Sequence, residues 1–133
     1  MDYELTDDRC CFVCGQDNPH GLRLSFRCSD GKSFAEFIPA KACQGYRDIT
    51  HGGIITAVLD EAMIQAATDE GCTPVTAEIR VRFKTPLRVA ERAIVEAEVT
   101  VKGPRLLEAT SRMTHFAGGA VIAEAHAKLV RKK

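Results

Sequence analysis

The sequence predicts an α+β fold in which one long central helix is wrapped by a curved antiparallel sheet of about six strands, in the order β-β-α-β-β-β-β. Three observations predict it. Residues 48–71, DITHGGIITAVLDEAMIQAATDEG, carry apolar side chains almost all round a helical projection, among them Ile54, Ile55, Val58, Leu59, Met63 and Ile64. The segments before and after it alternate apolar and polar residues with period two, the mark of half-buried strands. Clean alternation of that kind belongs to antiparallel sheets with one face covered and the other wet.

The elements follow in order. Residues 1–21 form a Cys-rich lead-in, and its CCFVCGQDNPHGL reads as a loop. Leu22, Leu24 and Phe26 alternate with Arg23, Ser25 and Arg27, giving a first strand over 22–27. Asp30-Gly31 is a hairpin turn, and residues 33–38 return as the second strand. A loop over 39–50 leads to the helix, with Thr50 or Asp48 as candidate N-caps and Gly71 as its closing glycine. Ala77, Ile79, Val81 and Phe83 then alternate with Glu78, Arg80, Arg82 and Lys84. Residues 93–101 alternate in the same way, and Gly103-Pro104 turns the chain into a strand carrying Leu107, Ala109 and Met113. After the turn at Gly118-Gly119, Val121, Ala123, Ala125, Ala127 and Leu129 mark the last strand.

Composition narrows the function classes. A length of 133 residues with 45% hydrophobic and 27% charged residues is one ordinary globular domain, expected to span 1–133. Lys+Arg and Asp+Glu balance at 18 each, so no net field recruits nucleic acid or an anionic membrane. No apolar run approaches the roughly 20 residues of a membrane span. The start, MDYELTDDRC, is acidic where a signal peptide is basic, so a cytoplasmic location and reduced thiols are expected for the six cysteines. The helix bears more apolar surface than one sheet covers, which predicts a homodimer or a dimer of dimers.

Two acids, Asp60 and Glu61, interrupt the apolar helix, and a carboxylate in such surroundings is a candidate for function. His51-Gly52-Gly53 opens the helix, Asp60 stands nine residues after that histidine, and the strand TAEIRVRFKTPLR with its Pro86 follows. Together with CFVCGQDNPHGL upstream, these residues resemble the hotdog-fold acyl-CoA thioesterases of the phenylacetate-type and 4-hydroxybenzoyl-CoA-type branches, over roughly residues 11–130. The resemblance implies an oligomer of hotdog subunits, an acyl-CoA thioester substrate and a carboxylate that performs or assists hydrolysis. By position Asp60 is that carboxylate, Gly52 with Gly53 supplies the amide that polarises the thioester carbonyl, and His51 holds the helix start. Coenzyme A is then part of the substrate, and no cofactor is implied. The sequence departs from the family at two places. Gly45 stands where Gln or Asn is usual, with Gln44 beside it as the substitute, and Ile64 stands where Thr or Ser is usual.

The chemistry fits those positions. Unpaired N–H groups at a helix start lie at the positive end of its dipole and suit a developing oxyanion. A carboxylate can activate water or attack the carbonyl directly, and both routes remain open. Eight residues separate Gly52 from Asp60, roughly 12 Å along one helix. That is too far for one carbonyl, so two shared sites at a dimer interface are expected. Glu61, turned by about 100°, is the reserve acid.

Arg80, Arg82 and Lys84 share a strand face and are candidate contacts for coenzyme A phosphates, otherwise a solvated face. Asn18, in the turn Asn18-Pro19-His20-Gly21, is a candidate for lining the acyl pocket. Cys11-x-x-Cys14-Gly resembles half a zinc knuckle, but the second paired motif is missing and no metal is expected. The rival function is a non-catalytic acyl-CoA-binding module. A hydratase is disfavoured, since no histidine stands with an acid in the arrangement that chemistry uses.

Overall fold

A computed structural model describes residues 4–71 and 73–131. Its elements run β1 (Arg27–Ser29), β2 (Lys32–Phe37), a single 3-10 turn (Lys41–Cys43), α1 (Gly52–Asp69), β3 (Pro74–Phe83), β4 (Ala93–Val101), β5 (Leu106–His115) and β6 (Val121–Arg131). All strand pairs are antiparallel, in the order β1-β2-β4-β5-β6-β3, so β1 and β3 are the two edges.

The sheet curls around α1. Val58, Leu59, Ala62, Met63 and Ala66 of the helix are fully buried against Phe37, Val95, Leu107, Met113 and Leu129 of the strands. Two buried serines bind the sheet to the helix backbone: Ser33 Oγ donates to the Ala62 carbonyl at 2.6 Å and Ser111 Oγ to that of Leu59 at 3.1 Å. At the β1–β2 turn Asp30 and Gly31 have φ of 52° and 72°, the left-handed pair that a two-residue type I′ hairpin requires. The Gly31 N–H donates to Asp69 at 2.9 Å, which fixes this hairpin on the last turn of α1. Gly71, with φ of 81°, ends the helix as expected.

Three local expectations are corrected. The first strand is short, starting at Arg27 rather than Leu22. Arg23 takes a left-handed φ of 54°, and the Leu22 and Leu24 amides donate to Phe12 and Val13 carbonyls of the lead-in loop at 2.8 and 2.9 Å. The inward side was nevertheless legible, since Leu24 is buried. The helix N-cap is His51, neither Thr50 nor Asp48. Thr50 is buried with its N–H on the Leu87 carbonyl, and Asp48 pairs with Lys41 at 2.8 Å. Finally, the register of β3 against β6 shifts between Thr76 and Glu78. A bulge of this kind reverses the side-chain parity. It leaves Ala77 exposed and turns Thr76 toward α1.

Candidate active site on the central helix

The start of α1 is held by a braced loop. The His51 N–H donates to Cys43 O at 2.8 Å, Thr50 N–H to Leu87 O at 2.8 Å, and Val89 N–H to Asp48 O at 2.9 Å. Gln44 Oε1 accepts from the Asp48 N–H at 3.0 Å, so this side chain supports the loop just before the helix. Gly45 lies beneath His51: a Cβ there would stand 3.3 Å from His51 Cδ2, tighter than ordinary contact.

His51 has extended backbone, φ −62° and ψ 134°, and its ring Nδ1 accepts the Gly53 N–H at 2.8 Å. That fixes Nδ1 as the unprotonated nitrogen in the capped state. The two glycine amides are therefore different. Gly53 is engaged by the cap, whereas the Gly52 N–H has no acceptor among the described residues. Phe83 covers one side of Gly52, with ring atoms 3.4 Å from where a Cβ would stand.

Two turns further along the same unbroken helix, Asp60 is half-buried, and its Oδ1 accepts the Thr76 hydroxyl at 2.7 Å. Thr56 bonds back to the Gly52 carbonyl at 2.8 Å instead of to Asp60. The bonded hydroxyl holds the carboxylate in one orientation and leaves its second oxygen without a bond among the described residues. β3 runs beside this flank of the helix, with Thr76 by Asp60 and Phe83 by Gly52. Among the described residues the β3 edge carries no further strand, and Val75 and Phe83 on it are 47% and 55% exposed.

Glu61 faces elsewhere. Its carboxylate lies 3.4 Å from the Cys14 thiol, 3.9 Å from that of Cys11 and 3.4 Å from the Gln65 amide nitrogen. Burial raises the Glu61 carboxyl above its ordinary value, against bonds from Gln65 and Cys14 that favour the charged form. Burial and then the Glu61 charge push the Cys14 thiol up as well.

The remaining candidates are dispersed. Asn18 donates to Cys10 O at 3.1 Å and accepts from His20 N–H at 2.9 Å, so both ends of its amide serve its own turn. Arg80, Arg82 and Lys84 lie exposed along a groove of about 1150 Å³ on the outer face of the sheet, which neither Asp60 nor Gly52 lines. There Arg82 stands opposite Glu124 and Arg80 opposite His126, while Arg112 pairs with Glu124 at 3.1 Å. Thr76 carries no mark of this role in the sequence. Strict alternation puts it on the outer face, and only the bulge brings it to Asp60.

One long helix wrapped by a curved six-stranded antiparallel sheet is the hotdog fold. The profile of the thioesterase superfamily matches residues 48–126, more than half of the sequence, and the chain belongs to that superfamily. Among solved structures it is similar to zebra fish thioesterase superfamily member 2, with 20% identity and a TM-score of 0.78 over 87% of this chain and 89% of that one. The PaaI protein of the phenylacetic acid degradation operon of E. coli is 17% identical, with a TM-score of 0.77 over 84% and 81%. A hypothetical thioesterase protein of Streptococcus pneumoniae, solved with coenzyme A, is 14% identical, with a TM-score of 0.77 over 82% and 85%. No curated protein matches in sequence. Among the described residues no helix is long and apolar enough to cross a membrane.

Proposed function

We propose that the protein hydrolyses an acyl-CoA thioester to the free acid and coenzyme A, with Asp60 as general base or nucleophile. The observation that carries this reading is the Asp60–Thr76 pair, a half-buried carboxylate fixed at 2.7 Å on the helix of a thioesterase-superfamily chain that opens with a free Gly52 N–H. In this reading Gly52 polarises the carbonyl, and His51 positions it by capping the helix through Gly53. The coenzyme A in the Streptococcus pneumoniae structure supports the same thioester class.

The site is formed by two chains. Gly52 and Asp60 lie about 12 Å apart on one rigid helix, beyond reach of a single carbonyl whose reacting contacts are about 3 Å. The free edge of β3 offers unpaired backbone groups to a second copy. Antiparallel pairing of two β3 edges about a two-fold sets the helices side by side in opposite directions, bringing Asp60 of one protomer toward Gly52 of its partner. It also covers Val75 and Phe83. In this reading Arg80, Arg82 and Lys84, exposed on the outer face of the sheet, meet the coenzyme A phosphates.

A thiol-release screen over short, long and aromatic acyl-CoAs tests the proposal. Turnover by the wild type that Asp60→Ala abolishes supports it. A wild type inert across the panel, or an equally active variant, overturns it. Acyl-CoA binding without turnover would return the protein to the class of binding modules.

A further inference from the structure

The Cys11–Cys14 loop and the centre of α1 meet at a cluster that thioester hydrolysis does not use. Cys11, Cys14 and Glu61 place two sulfurs and a carboxylate oxygen within 4.8 Å of one another. They come from segments about fifty residues apart, so the fold, not local sequence, brings them together. From this geometry we infer that Cys11, Cys14 and Glu61 form a binding site for a thiophilic divalent cation, of which Zn²⁺ is the best match, with Gln65 or water in the fourth place.

The sulfur–oxygen distances already fit. With Zn–S of about 2.3 Å and Zn–O of about 2.1 Å, tetrahedral geometry separates sulfur from oxygen by roughly 3.6 Å. The observed separations from Glu61 are 3.4 Å to Cys14 and 3.9 Å to Cys11, so a bound ion requires only small rotamer adjustments. The loop between the two cysteines is tight. The Gly15 N–H donates to the Cys11 carbonyl at 2.9 Å. A Cβ at Gly15 would lie 2.4 Å from the Cys11 nitrogen, so only glycine fits. Glu61 is ion-paired to no Lys, Arg or His among the described residues. Three potential anions thus converge with no ion-pairing cation among the described residues. Gln65 Nε2 lies 3.6 Å from Cys14 and 3.4 Å from Glu61, and a turn of its amide presents Oε1 to the same point.

Binding releases the thiol protons and forms two metal–sulfur bonds and one metal–oxygen bond, with no redox change. Its consequence is mechanical. The ion fastens the lead-in loop to α1 at the residue next to Asp60. Cys28, whose thiol faces the Gln65 carbonyl at 3.7 Å, lies outside the cluster.

The test uses the full chain, reduced and metal-stripped, titrated with Co²⁺ as a spectroscopic probe and then with Zn²⁺. We expect one ion per chain, thiolate-to-cobalt charge-transfer absorption, displacement by Zn²⁺ and a higher melting temperature. Cys14→Ser, Cys11→Ser and Glu61→Gln should each weaken Co²⁺ binding by at least about tenfold, whereas Cys28→Ser should not. Circular dichroism of each metal-free variant establishes that it is folded. Less than about a tenth of an equivalent bound by the wild type overturns the assignment. So does an unchanged cobalt spectrum and affinity in folded Glu61→Gln.

Discussion

Gly52→Pro isolates the amide assigned to the thioester carbonyl. Gly52 is the first residue of α1, where the missing proline N–H deprives the helix of no hydrogen bond and the fixed φ near −65° suits the first turn. The residue before a proline must be extended, and His51 already is, with φ −62° and ψ 134°. Gly52 does not have a positive φ, and a Cβ there meets the Phe83 ring at 3.4 Å, ordinary contact. The substitution should therefore fold, with stability raised by about 0.4–1 kcal/mol through loss of unfolded-chain freedom. Deleting one donor to a developing oxyanion costs about a hundred- to a thousandfold in kcat. Gly52→Ala keeps the N–H and is the control for bulk. Thiol release measured at saturating acyl-CoA should fall by that factor in the proline variant and by only a few fold in the alanine one. Equal activity of the two would refute the role of this amide. The same variant tests sharing. Co-refolded with Asp60→Ala, about half the dimers are mixed, and one of the two sites in each combines an intact Asp60 with an intact Gly52. Mixing two nearly dead variants should thus restore about a quarter of wild-type activity. No recovery would refute the shared site.

Thr76→Val removes the hydroxyl on Asp60 with little change of shape. A hydrogen bond to a charged group contributes about 1.5–3 kcal/mol, so kcat/KM should drop by roughly ten- to a hundredfold, and the loss should vanish when Asp60 is already Asn. Additive losses in that double-mutant cycle would show that Thr76 acts through something else. His51→Ala deletes the cap on Gly53 and should lower unfolding stability in urea by about 1 kcal/mol, with His51→Asn recovering most of it. Leu59→Ala, at a fully buried position beneath the sheet, should cost about 2–5 kcal/mol by the same measurement without altering the chemistry of the residual folded enzyme. Replacing Arg80 and Arg82 together by Gln should raise KM for acyl-CoA more than it lowers kcat. It should leave KM unchanged if these residues only solvate the sheet.

The element order, the antiparallel sheet and the single long helix can be read from the residues alone, because period-two and all-round apolar patterns follow directly from what each element must bury. The sequence also marked the Asp30-Gly31 turn and the Gly71 helix end, since both need backbone that glycine adopts at no cost. It placed Asp60 and Gly52 on one helix, and hence about 12 Å apart. The tertiary structure alone decided which partners these groups have. A bulge near Ala77 turns Thr76 onto Asp60, and no alternation pattern announces a bulge. The loop before the helix assigns Gln44 to Asp48 and makes His51 the cap, which distinguishes Gly52 from Gly53 by a single ring nitrogen. Glu61 reads in sequence as the lesser of two adjacent acids. Folding sets it against Cys11 and Cys14, because chain distance says nothing about which loop packs on which turn of a helix. Periodicity records burial, a property each residue carries locally, whereas a site is a meeting of residues that only the closed fold brings together.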